Sequence, residues 1–290
     1  MMPESHGTAR RAAAEAVGTF LLVFFGCGAV HVAVLTGELQ GLWQVGVVWG
    51  VSIMLAIYTV GAVSGAHINP AITVSLAAWG LFPRHLVPSY LAGQMAGAVM
   101  AAAALHVLFG SYLEAKERAK GVTRGELGSV VTAMCYGEYF PNPGPLASGD
   151  EPFSAETYAE LRSRTGEPVA FFAEMLGTAI LAFVVVAVTD GGNAAQPGKL
   201  APTFIGLTVA ALICVLAPLT QACFNPARDF GPRLFAYFAG WREVAIPGPN
   251  GRGFLTVYIL APIVGALAGA GVYQLVFHTQ AESKRERADD

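Results

Sequence analysis

Two asparagines, Asn69 and Asn225, head identical triplets in the stretches "SGAHINPA" and "CFNPARD". Asparagine is a strong helix N-cap, and proline is favoured at the first helical position. Asn69-Pro70-Ala71 and Asn225-Pro226-Ala227 therefore each predict the capped start of a helix. A helix start carries partial positive charge, and the asparagine amide adds N–H donors. The chemistry on offer is hydrogen bonding to a passing oxygen, without acid–base work. Arg228 follows the second triplet. A guanidinium in such apolar surroundings is costly and marks a functional position. Its other reading is a partner for Asp229 that holds a loop.

Two carboxylates belong to the same pattern. "AEAVGTF" around Glu15 matches "AEMLGTA" around Glu174, placing these glutamates 159 positions apart, while the asparagines are 156 apart. Two features at nearly one offset indicate an internal duplication, with repeats 10–109 and 169–278 joined by a linker, 110–168. Glu15 and Glu174 are expected to accept hydrogen bonds from loop N–H groups ahead of each triplet. That would hold the carbonyls of Gly65, Ala66, His67 and Ile68, and of Gln221, Cys223 and Phe224, in line toward a wet space. A proton relay through either glutamate is the alternative, and it belongs to an active transporter. The His67 ring reads as packed, its alternative being a pH gate.

These residues need elements to position them, and the composition says which. The chain of 290 residues is 54% hydrophobic and 13% charged, about half the charge of a soluble domain. Apolar runs predict six membrane-crossing helices over 11–35, 42–63, 85–109, 169–189, 201–220 and 254–277. Three spans per half force the second half to enter from the opposite face, which is an inverted repeat. After the first triplet a helix is expected over 70–81, ~18 Å long and about half the hydrocarbon core; the second is expected over 226–238. The predicted fold is thus an all-α membrane protein with six transmembrane helices and two re-entrant half-helices, whose N-termini meet near the midplane. Non-helical backbone at that depth survives only inside protein or along a water-filled cavity, so the pattern predicts a pore. A water held by both asparagines cannot hand a proton forward, and cations meet a positive barrier.

Other classes find little support. No long basic run suggests nucleic acid. Cys27, Cys135, Cys214 and Cys223 lack metal-ligand spacing and read as packing thiols. No nucleophile–base pair, metal cluster or phosphate loop appears, so neither an enzyme nor a cofactor is expected. The Arg10-Arg11 pair ahead of an apolar run resembles an export signal, but Glu15 and five further spans favour a retained anchor. The linker holds 15 charged residues and reads as an aqueous loop with a short helix near Ser154–Arg164. Arg10, Arg11, Lys284, Arg285 and Arg287 favour cytoplasmic termini, although six basic residues in the linker pull the other way.

The triplets and "NPARDFGPR" make residues 10–277 resemble the major intrinsic proteins, the aquaporins and aquaglyceroporins. The resemblance implies a homotetramer with one pore per subunit in the cell (plasma or inner) membrane, cytoplasmic termini, and passive passage of small neutral solutes such as glycerol and water. It also implies a selectivity filter, which spacing from the triplets assigns to Trp49, Ile213, Ala222 and Arg228. Water-selective members are similar to Phe, His and Cys or Thr beside the arginine; glycerol facilitators are similar to Trp, Gly and Phe. This set is neither, and Trp49 alone would also suit a membrane-interface anchor. Lacking a histidine, with apolar Ile213, small Ala222 and a one-sided guanidinium, the slot suits a carbon chain bearing hydroxyls. Asp229 and Arg233 look like glycerol-type markers, whereas Tyr258 and Ile259 look like those of plant nodulin-type channels, which pass glycerol and some neutral metalloid acids such as arsenite. Gln221 stands where the family has glycine and could intrude on the vestibule. The expectation is a glycerol channel that also passes water and excludes protons; a water-selective channel and a metalloid-acid channel are the alternatives.

Overall fold

A computed structural model of the protein describes residues 7–149 and 151–278; Lys284, Arg285 and Arg287 lie outside them. Among the described residues the regular structure is helical throughout. Six helices are long and apolar enough to cross a membrane. They are α1 (Thr8–Thr36), α2 (Leu42–Ser64), α4 (Val87–Lys120), α8 (Glu167–Thr189), α9 (Ala201–Thr220) and α11 (Gly253–His278). Two short helices interrupt the series: α3 (Pro70–Ala78) after α2 and α10 (Pro226–Ala236) after α9. The linker contributes two single turns, α5 (Val130–Ala133) and α6 (Gly144–Ala147), and the helix α7 (Ala155–Ser163).

Small residues set the packing. Helix α1 lies against α4 and α2, α8 against α11 and α9, and α2 against α9. A Cβ on Gly93 or Gly97 of α4 would come within 2.3 Å of the Ala12 carbonyl oxygen or 2.1 Å of that of Ala16. On α11, a Cβ at Gly265 or Gly269 would fall 2.1 Å from Met175 O or 1.9 Å from Ala179 O. Gly50 and Gly206 likewise meet backbone to backbone across α2 and α9. Such close approach is how helices gain dispersion contact where lipid offers no hydrophobic driving force. The pairing leaves room at the centre for α3, which packs on α11, and α10, which packs on α4.

Four expectations are corrected. The first half-helix ends at Ala78 rather than 81, because Gly80 takes φ +76 and turns the chain. At nine residues α3 is ~14 Å long. The second ends at Ala236 and passes into a wider turn, Tyr237–Trp241. The span expected over 85–109 runs on to Lys120, since "LEAKERAK" consists of strong helix formers, and Gly121 (φ +65) stops it. Most consequentially, the linker is not a simple aqueous loop. Residues 128–141 are buried, with Tyr136 and Trp241 at the heart of a second apolar core. The Arg124 guanidinium lies 4.1 Å from the Trp241 ring centre while paired at 3.0 Å with Glu117 on α4. The short helix α7 stands where a helix was expected, with Ser154 Oγ accepting from Thr157 N at 3.2 Å.

Candidate functional site

The two loops ahead of the half-helices share one unusual backbone. Gly65, Ala66 and Ile68 have φ of +84, +51 and +44, and Gln221, Ala222 and Phe224 have +61, +62 and +54. Left-handed backbone costs a non-glycine residue about 1–2 kcal/mol, so something must hold it. Glu15 does so on one side. Its Oε1 accepts from His67 N at 2.9 Å and Ser64 Oγ at 2.7 Å. Its Oε2 accepts from Ile68 N at 2.7 Å and Gln94 Nε2 at 2.8 Å. On the other side Glu174 Oε1 accepts from Cys223 N at 2.9 Å and Thr220 Oγ1 at 2.6 Å, and Oε2 accepts from Phe224 N at 2.8 Å. The Ser64 and Thr220 hydroxyls in turn accept from Ala66 N and Ala222 N. Both carboxylates lie in long helices and reach loops about 50 residues away.

The asparagines strap the two loops together. Asn69 Oδ1 accepts from Ala71 N at 2.9 Å, and its Nδ2 donates to Phe224 O at 2.9 Å. Asn225 Oδ1 accepts from Ala227 N and Arg228 N, and its Nδ2 donates to Ile68 O at 2.8 Å. Each amide therefore caps its own helix and bonds the opposite loop. An amide nitrogen carries two hydrogens, so each retains one after that bond. The expected row of free carbonyls is accordingly modified at Ile68 and Phe224, where one lone pair is already engaged.

A cavity of about 280 Å³ runs past these groups. Gly65, Ala66, His67, Ile68, Asn69, Cys223, Phe224 and Asn225 line it; Thr189, Ala201 and Pro202 mark one end and Trp49, Ile213, Ala222 and Arg228 the other. Its remaining wall is aliphatic, with Leu22, Ile53 and Val185 among the lining residues. A second, more polar cavity of about 640 Å³ follows, lined by Glu138, Asn142 and Gln221 together with Trp49, Ile213 and Arg228. The three shared residues stand where the two cavities meet. Gln221 borders only the second. The His67 ring packs at 4.5 Å from the Phe82 ring and 5.0 Å from that of Tyr90, and its Nδ1 is 3.2 Å from Thr73 Oγ1.

Trp49 is buried, not an interface anchor: the Arg228 guanidinium lies 4.3 Å from its ring centre. Gly26 of α1 makes room for the indole, since a Cβ there would sit 2.2 Å from the ring. Arg228 does not pair with Asp229. Asp229 pairs with Arg233 at 3.0 Å, and Arg233 also donates to Ala245 O at 2.8 Å and to Glu138 O. Arg228 is ion-paired with Glu138, which comes from the linker. The Glu138 backbone N donates to Asp229 Oδ1 at 2.6 Å. Gln221 is also drawn to the linker: its Oε1 accepts from Tyr139 N at 2.9 Å and its Nε2 donates to Met134 O at 3.3 Å. Tyr258 is buried, donating to Thr220 O at 3.2 Å, and neither it nor Ile259 lines either cavity. Among the described residues no group of three or more His, Cys, Asp or Glu could hold a metal ion.

Sequence reasoning missed Glu138. Its signal was present: it is the only charged residue between Glu126 and Asp150, and it is framed by Tyr136, Tyr139 and Phe140. It also missed Ser64, Thr220 and Gln94, the hydroxyls and amide that complete the carboxylate scaffolds.

Residues 3–273 match the major intrinsic protein family, and the chain belongs to that family. It is 39% identical over 263 residues to the glycerol uptake facilitator protein of Pseudomonas aeruginosa, covering 91% of this chain and 87% of that one. It is 38% identical over 261 residues to the propanediol uptake facilitator PduF of Citrobacter freundii, covering 90% and 89%. Against the glycerol uptake facilitator protein of Escherichia coli (strain K12), it is 38% identical over 261 residues, covering 90% and 85%. The aquaglyceroporin of Plasmodium falciparum shares the fold, with a TM-score of 0.78 at 20% identity over 95% of this chain and 99% of that one.

Proposed function

We propose that the protein is a passive channel for glycerol and similar small neutral solutes, that it also passes water, and that it excludes protons and other ions. One observation carries this reading: a single passage in which donors and loop carbonyls lie beside an aliphatic wall, with Arg228 and Trp49 at its junction with the outer cavity. A polyol has that same division, hydroxyls along one edge and carbon along the other. The free N–H of Asn69 and of Asn225 would hold a solute oxygen between two helix N-termini, turning the hydrogens of a bound water away from its neighbours. The similar bacterial facilitators for glycerol and propanediol support the same solute class.

The filter is read as Trp49, Ile213, Ala222 and Arg228. The rest of the account is proposed with it: a homotetramer in the cell membrane, cytoplasmic termini, repeats 10–109 and 169–278, and transport without catalysis. The hydrogen bonds of Glu15 and Glu174 favour a scaffold over a relay, because loop N–H groups occupy both oxygens of each carboxylate. Equilibration of labelled glycerol into proteoliposomes separates the two mechanisms. A channel gives initial rates proportional to concentration without saturation, unchanged by a pH gradient. Saturable uptake that follows an imposed pH gradient would establish a proton-coupled transporter instead.

A further inference from the structure

The two loops ahead of the half-helices share one backbone, so a difference between them is informative. Four positions before Asn69 stands Gly65, at φ +84; four before Asn225 stands Gln221, at φ +61. Each closes the helix before it, Gly65 N donating to Gly61 O and Gln221 N to Ala217 O, both at 2.9 Å. Glycine adopts left-handed backbone freely, whereas a side chain there carries a steric cost. The second loop accepts that cost, and what it gains is visible. Gln221 is 8% exposed, and its amide reaches two points of the linker. Tyr139 N donates to its Oε1 at 2.9 Å, and its Nε2 donates to Met134 O at 3.3 Å. Gly65 has no side chain with which to make such bonds.

The same stretch of linker is fastened to its other surroundings as well. Asn142 Nδ2 donates to Ala217 O at 3.1 Å, at the end of α9. Asn250 Nδ2 donates to Phe140 O at 2.6 Å, and the Tyr139 hydroxyl donates to Val244 O at 2.8 Å. On the loop that leads into the second triplet, the bonds to the linker come from Gln221. The residue after it, Ala222, lines the passage, and so small a side chain leaves the width there to its neighbours. Met134 and Asn142 of the linker border the outer cavity beside Trp49, Ile213 and Arg228. Gln221 therefore joins the outer wall to the loop on which the constriction is built. A planar amide bonded at both ends fixes orientation as well as distance, because donor and acceptor cannot be exchanged.

We propose that Gln221 is a positioning residue for solute size: it clamps linker residues 134–142 to the loop bearing Ala222, and so holds the junction at a width that favours glycerol over longer polyols. This rests on the channel reading above. The test is Gln221→Gly, which removes both bonds while relaxing the backbone, so the variant is expected to assemble. Glycerol and erythritol, one carbinol unit longer, are compared by stopped-flow light scattering on reconstituted vesicles. Amide exchange of residues 134–142 is followed by mass spectrometry on the same protein. Wild type passes glycerol well ahead of erythritol. In Gln221→Gly, exchange across the stretch rises about tenfold, the order expected for losing two neutral hydrogen bonds, and the erythritol-to-glycerol ratio rises several-fold. Gln221→Asn tolerates left-handed backbone but is a methylene too short to reach both partners, and it should raise the ratio as well. A residue that only stabilised the fold would alter exchange and leave the ratio unchanged; that result in both variants would overturn this inference alone. So would a raised ratio with unchanged exchange, which would assign the effect to side-chain volume, or wild-type vesicles that pass both polyols equally. Wild-type vesicles without glycerol flux would overturn the channel reading and this inference with it.

Discussion

Glu174 accepts three hydrogen bonds, two of them from the backbone N–H groups of Cys223 and Phe224, in a loop where Ala222 and Phe224 are left-handed. Glu174→Gln turns one acceptor oxygen into an amide NH2 group, a donor that faces a donor. The loss is about 2–3 kcal/mol, seen as a lower unfolding temperature in detergent; an unchanged temperature would mean that the loop holds itself. Residues such as Glu15, Glu174, Arg228 and the two asparagines were legible because polar groups are rare in this chain and each needs a reason to be buried. Glu138 was not, because its partner lies 90 positions away and the charged linker around it suggested solvent. Gln221 shows the same limit. Glycine at its position would adopt φ +61 at no steric cost, and only the structure shows two hydrogen bonds to the linker in return.

At the scale of elements, long apolar runs located all six long helices and the Asn-Pro caps both half-helices, but ends were set by local turns. Gly80 and Gly121 stop α3 and α4 through left-handed backbone. The linker divides physically: most of its charge-rich flanks face solvent, apart from the buried Glu117 and Lys120, whereas the charge-poor stretch "GSVVTAMCYGEYFP" is buried throughout. Two glycines give predictions here. Gly269→Val drives a side chain into Ala179 O on α8, a backbone atom that cannot step aside. It should cost about 3 kcal/mol, lowering thermal stability or the yield of assembled protein. Gly26→Ala instead meets the Trp49 ring, which has the passage beside it to move into. That variant is expected to assemble yet conduct glycerol at least several-fold more slowly, and wild-type rates would show that Trp49 does not bound the passage.

As a whole molecule the protein presents apolar helix surfaces outward; Val107, Val215 and Phe238 are 83%, 71% and 79% exposed, a placement suited to lipid or neighbouring subunits. Six crossings put Thr8 and His278 on one face, opposite the linker. Tags at the two ends should therefore become protease-sensitive together, in inverted membrane vesicles and not in right-side-out ones if both are cytoplasmic; cleavage of one end alone would break the topology. The account's central claim is that one amphipathic passage serves a polyol. It is tested most directly by stopped-flow light scattering on proteoliposomes challenged with a glycerol gradient, with a sucrose gradient as reference. The account predicts rapid re-swelling in glycerol, well above that of protein-free vesicles. Rapid shrinkage in sucrose with no faster re-swelling in glycerol would contradict it and make the protein a water channel.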